Sequence, residues 1–125
     1  MRSRRTGFTL IELLVVMAVL AVLLSIAAPR YFDSIDRAKD SALRTDLRVL
    51  REAIDKYRAD NGRLPETLQA LADSRYLRSI PLDPWTDSST TWIVQAHPDG
   101  VTQGIFDVRS GASGVARDGT PYEGW

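Results

Sequence analysis

The stretch "RRTGFTLIELLVVMAVLAVLLSIAAP", Arg4 to Pro29, decides how the rest of the chain is read. Inside it, Phe8 to Ala28 is a run of 21 residues whose only charge is Glu12. As an α-helix rising about 1.5 Å per residue, that run spans about 30 Å, enough to cross the hydrocarbon core of a bilayer. Three arginines, Arg2, Arg4 and Arg5, precede it. The positive-inside rule places them in the cytoplasm and everything after Pro29 on the far side. A secretory signal has an apolar stretch of only about 7–15 residues, so an anchor suits this run better, although "SIAAP" offers small residues for a cut after Ala28. An ionised carboxylate at membrane depth costs at least about 2.5 kcal/mol. Glu12 therefore needs either a partner cation or a route to the interface.

The remainder of the chain has room for one small domain. The 125 residues carry 16 basic and 16 acidic side chains, and without residues 1–7 the balance becomes −3. A nucleic-acid reader would need a basic face, so none is expected as a partner. There are no cysteines, which excludes disulfides and thiolate metal sites. The single histidine, His97, precedes a proline in a turn and is read as a surface residue. "GASG" lacks the Lys-Ser/Thr of a phosphate loop, and no nucleophile–base pair is legible. The chain is not expected to be an enzyme.

From Tyr31 to Asp60, the residues Ile35, Ala38, Ala42, Leu47, Leu50, Ile54 and Tyr57 recur at helical spacing. Opposite charges lie four apart on the same segment: Asp33 and Arg37, Asp40 and Arg44, Arg51 and Asp55, Glu52 and Lys56. The pattern predicts one long helix, Phe8 to Asp60, with Pro29 bending it and Ser25 to Pro29 as its weak point. "LPETLQALADSRYL", Leu64 to Leu77, predicts a short second helix with Pro65 in its first turn. "IPLDPWTD", Ile80 to Asp87, is a loop that Trp85 has the bulk to anchor. "TTWIVQA", Thr90 to Ala96, and "GIFDVRS", Gly104 to Ser110, predict two strands around the turn "HPDG", followed by a loop-like tail.

"GFTLIE", Gly7 to Glu12, followed by the apolar run and Pro29, resembles the class III signal of type IV pilins and pseudopilins. That resemblance implies cleavage by a prepilin peptidase between Gly7 and Phe8, with methylation of the new amine on Phe8. It implies an assembly role for Glu12 and Pro29: the carboxylate would pair with a neighbouring subunit's N-terminal amine and fix the stagger between helices. The order of elements, "YL..IP.DPW", "DV.S.GASG" and the absent cysteines are most similar to the G-type major pseudopilins of type II secretion. The fold class expected is α+β and pilin-like, a long helix packed on a small antiparallel sheet with a short second helix. Residues 1–7 would be the leader, 8–28 the transmembrane and assembly helix, and 29–125 a periplasmic globular domain.

The same resemblance implies calcium in the C-terminal loop. Loops of that type read S-x-G-A-D-G, whereas here Ser113 stands where the aspartate would be. Asp118, with Ser110, Ser113 or Glu123, is the candidate ligand set, and a calcium-free loop packed by Tyr122 and Trp125 is the alternative. The function implied is that of a structural subunit, self-assembling into a short filament that promotes export across the outer membrane. Its partners would be other pseudopilins, the peptidase and methylase, an inner-membrane platform protein and an assembly ATPase. The alternative is a minor type IV pilin acting in adhesion, DNA binding or pilus priming, for which a clustered patch of Arg63, Arg75, Arg78, Arg109 and Arg117 would be the sign.

Overall fold

The computed structural model describes residues 3–125, and Met1 and Arg2, the latter one of the three arginines assigned to the cytoplasm, lie outside the described residues. Four main elements follow in chain order. Helix α1 is Leu10–Asn61, α2 is Leu68–Asp73, β1 is Ile93–Ala96 and β2 is Ile105–Arg109, with a 3₁₀ turn at Tyr122–Gly124. This is the α+β, pilin-like arrangement that the sequence implies.

Helix α1 is 52 residues long and continues through Pro29, whose ring removes the N–H that would have bonded the Ser25 carbonyl. It begins at Leu10 rather than Phe8 because Thr9 caps it. By contacts the chain divides into two units, 1–36 and 37–125, and the division falls within α1, beyond Pro29. The first unit buries nothing of its apolar run. From Phe8 to Ile26 all fourteen large apolar side chains remain at least 48% exposed.

The second unit has its own core. Leu43, Leu47, Leu50, Ala53, Ile54 and Tyr57 of α1 are buried with Leu68 and Leu71 of α2 and with Ile105 and Val108 of β2. The buried stripe opens on Leu43, not Ala42, and Ala38 and Ala42 are exposed. A larger side chain one position on covers more of the core, which periodicity alone does not show. Helix α2 is six residues long rather than the expected run from Leu64 to Leu77. Thr67 is its N-cap, its hydroxyl accepting the Ala70 N–H at 3.1 Å, so Pro65 lies before the helix and Leu64 and Pro65 are buried as loop residues. The helix stops where Arg75 takes the left-handed conformation at φ 64°.

Strands β1 and β2 form an antiparallel pair with Ile93 opposite Arg109 and Val94 opposite Val108, and a bulge between Gln95 and Ala96 shifts the register. Gly104, at φ 108°, leads into β2 where a Cβ would lie 2.7 Å from that of Leu64. His97 is half-buried rather than freely exposed. Its ring meets Phe106 edge-on at 4.6 Å, and its Nδ1 lies 3.0 Å from Asp99.

Candidate processing segment and C-terminal loop

Two regions carry the residues that the sequence singled out. In the first, residues 3–9 are not helical, and α1 opens with a reciprocal cap. The Thr9 hydroxyl accepts the Glu12 N–H at 3.2 Å, while a Glu12 carboxylate oxygen accepts the Thr9 N–H at 3.2 Å and the Thr9 hydroxyl at 3.4 Å. This capping box satisfies a first-turn donor and uses the negative charge where the helix dipole favours it. The peptide between Gly7 and Phe8 therefore sits just outside the helix. A Cβ on Gly7 would meet nothing within 4 Å and its φ is unremarkable for an L-residue, so folding does not require glycine there.

In the second region, a stripe on α1 meets the C-terminal segment. Asp40, Arg44, Leu47 and Arg51 are spaced four, three and four residues apart and share one helix face. An Asp40 oxygen accepts the Tyr122 hydroxyl at 2.7 Å and the Trp85 indole N–H at 3.1 Å. Arg44 donates to Asp118 at 2.7 Å, and its guanidinium lies 3.9 Å from the centre of a Trp125 ring. Arg51 donates from Nε to Asp107 at 2.8 Å and from Nη2 to the main-chain oxygens of Val108 and Trp125. The expected helix-internal pairs of Arg44 with Asp40 and of Arg51 with Asp55 give way to these long-range ones. A cleft of about 520 Å³ lies between Arg44, Leu47 and Arg51 on one side and Thr120, Gly124 and Trp125 on the other.

The four calcium candidates have different surroundings. Asp118 sits at the tip of a tight turn closed by the Ala116 N–H to the Thr120 carbonyl at 2.8 Å. One of its oxygens accepts both the Thr120 N–H at 2.9 Å and the Thr120 hydroxyl at 2.5 Å. Those two bonds first, and the Arg44 charge further, hold its pKa below the usual carboxylate value. Ser110 is buried; its hydroxyl donates to Asp83 and accepts the Ala112 N–H at 3.0 Å. Ser113 and Glu123 are exposed, and the main-chain oxygen of Glu123 accepts from Arg109 at 3.0 Å. Among the described residues, no three acidic, histidine or cysteine side chains gather closely enough to hold a metal. Calcium takes six to eight oxygens, several from carboxylates. This donor set, with one carboxylate already facing a guanidinium, does not fit it.

In the sequence, Asp83 reads with Asp87 as an acidic pair in a Pro-rich loop, which does not show its burial. It is fully buried, accepting the Trp85 N–H at 2.9 Å and the Thr86 N–H at 3.4 Å on one oxygen and the Ser110 hydroxyl on the other. Asp46 is pushed above the usual carboxylate range, by burial first and by the Asp83 charge second. "DPWTD" marks Asp83 only as a turn former, since an aspartate before proline commonly starts a turn.

A long helix whose uncovered first part is long and apolar enough to cross a membrane, a short second helix and a small antiparallel sheet make a pilin-like fold. Residues 2–28 match the prokaryotic N-terminal methylation motif, and residues 30–119 match type II secretion system protein G. The chain belongs to the type II secretion system protein G family. It is 32% identical over 100 residues to the type II secretion system core protein G of Pseudomonas aeruginosa, covering 67% of this chain and 70% of that one. To the core protein G of Klebsiella pneumoniae it is 31% identical over 131 residues, covering 85% and 94%. No solved structure matches it at a comparable level.

Proposed function

We propose that the chain is a structural, non-enzymatic subunit of a type II secretion pseudopilus. It is made as an inner-membrane precursor with Arg2, Arg4 and Arg5 in the cytoplasm and residues 29–125 in the periplasm. Prepilin peptidase cuts it between Gly7 and Phe8 and methylates Phe8. The mature chain then joins copies of itself and other pseudopilins in a short helical filament that promotes protein export across the outer membrane, driven by an inner-membrane platform protein and an assembly ATPase.

One observation carries this reading. The first part of α1 is long and apolar enough to cross a membrane, yet none of it is covered by the rest of the chain, and its one charge is Glu12. Such a surface suits lipid before assembly and neighbouring helices after it. Family membership supports the same reading. In the filament, Glu12 exchanges its cap for the N-terminal amine of a neighbour, because any other stagger leaves both charges unpaired in a dry core.

The test is the intact mass of the protein from membranes of a host that makes prepilin peptidase. A chain starting at Phe8 with one added methyl group is the expected result. A chain that keeps Met1 to Gly7, or one cut after Ala28, overturns the proposal.

A further inference from the structure

We propose that an arginine closes the C-terminal loop of this chain in the place the family resemblance gives to calcium, so that the loop folds without a divalent cation. The clasp is Arg44, Asp118, Thr120 and Trp125. Asp118 is the carboxylate at the tip of the turn, and both of its oxygens are engaged: one by Arg44 at 2.7 Å, the other by the N–H and hydroxyl of Thr120. Thr120 in turn accepts the Trp125 indole N–H at 2.7 Å, and the Trp125 ring covers the Arg44 guanidinium at 3.9 Å. Each member is thus held by two others, and the circuit is closed on side chains alone.

A cation at Asp118 would have to displace the guanidinium or sit beside it, and like charges at that separation repel. Two further oxygens near the loop are committed elsewhere. The Ser110 hydroxyl is buried against Asp83, and the Glu123 main-chain oxygen is taken by Arg109. The rest of the loop is fixed to α1 independently of Asp118. Asp40 accepts the Tyr122 hydroxyl, and Arg51 bonds the main-chain oxygen of Trp125. Ser113, standing where the resemblance places an aspartate, brings no carboxylate to the loop. Position 113 thus offers none to a metal, and the carboxylate of Asp118 already faces an organic cation. This pairing frees loop closure from the calcium concentration around the domain.

The experiment uses the full chain in detergent micelles, with thermal unfolding followed by tryptophan fluorescence and near-UV circular dichroism. Measurements in excess EGTA and in millimolar calcium chloride should give midpoints within about 1 °C of each other, because a ligand that does not bind the native state does not stabilise it. A calcium-induced rise of about 5 °C or more, as tight native-state binding gives, overturns the proposal. Terbium, a calcium surrogate whose emission is sensitised by nearby tryptophan, should show no saturable signal; a saturable signal displaced by calcium also overturns it. Arg44→Gln should lower the midpoint by about 3–6 °C and change the Trp125 fluorescence. A variant matching the parent in both would mean that the arginine closes nothing. Should Arg44→Gln fail to fold, Thr120→Val, which cuts the circuit without changing charge, should still lower the midpoint, and an unchanged midpoint there sinks the clasp.

Discussion

Gly7 and Asp46 are single positions where the structure separates folding from other demands. A side chain at position 7 meets open space, so Gly7→Val should leave the helix content and the thermal midpoint of the chain unchanged. If the glycine is there for the peptidase, the same variant should accumulate as uncut precursor; processing at the parental rate would remove the assigned cleavage site. Asp46 is the opposite case, a cost inside the fold. Its pKa is raised by burial and by the Asp83 charge, so the native state favours its protonated form. Its contribution is fully favourable below the unfolded value near 3.8 and is lost as pH rises through the higher folded value. Discounted for solvent screening of this partly exposed group, Asp46→Asn should raise the midpoint by no more than about 1 °C at pH 7 and give no gain below pH 4. A gain that persists at low pH would show another origin. Residue roles of this kind were only partly legible in the sequence. "GFTLIE" names Gly7 and Glu12 by their spacing, but the Thr9–Glu12 cap, the burial of Asp83 and its effect on Asp46 depend on which residues the fold brings together.

At the scale of elements, local pattern located α1, α2, β1 and β2 but not their ends, and it did not show the 3₁₀ turn at Tyr122–Gly124. Helix α1 was readable because amphipathic spacing runs for many turns, and its start moved by two residues where the cap acts. The second helix was over-read because "LPETLQALADSRYL" has helical spacing throughout; Thr67 as N-cap and Arg75 at positive φ cut it to six residues. The strands were readable from "TTWIVQA" and "GIFDVRS", though pairing covers only Ile93–Ala96 of the first and Ile105–Arg109 of the second. The least legible element was the C-terminal segment, which has no periodicity and is ordered by side chains from α1, about 75 residues upstream. It is also joined to the strand region by a close backbone approach. A Cβ on Gly111 would lie 2.3 Å from the Thr91 carbonyl oxygen, between buried Ser110 and buried Ala112. Gly111→Ala should force these segments apart and destabilise the fold by about 1–3 kcal/mol, read from denaturant unfolding. An unchanged unfolding midpoint would show that the loop is slack there.

For the molecule as a whole, the question is what drives a subunit out of lipid and into a filament. Lipid tails are as apolar as leucine, so moving the uncovered α1 residues from lipid to neighbouring helices yields little hydrophobic gain. Packing and polar pairs must then select the assembled state, and Glu12 is the one ionisable side chain in that segment. In the free chain its carboxylate caps α1, so under the proposed function two roles would overlap at one residue: starting the helix and pairing with a neighbour's amine. Glutamine separates them, since it completes a capping box as glutamate does but carries no charge. If the charge sets the stagger, Glu12→Gln should insert, be processed between Gly7 and Phe8, keep parental helix content, and form filaments as poorly as Glu12→Ala. If the cap is what assembly needs, Glu12→Gln should restore filaments that Glu12→Ala lacks. Counting filaments by electron microscopy at matched subunit levels distinguishes the two, because either variant changes Glu12 alone and leaves the Arg37–Trp125 unit, with its separate core, intact.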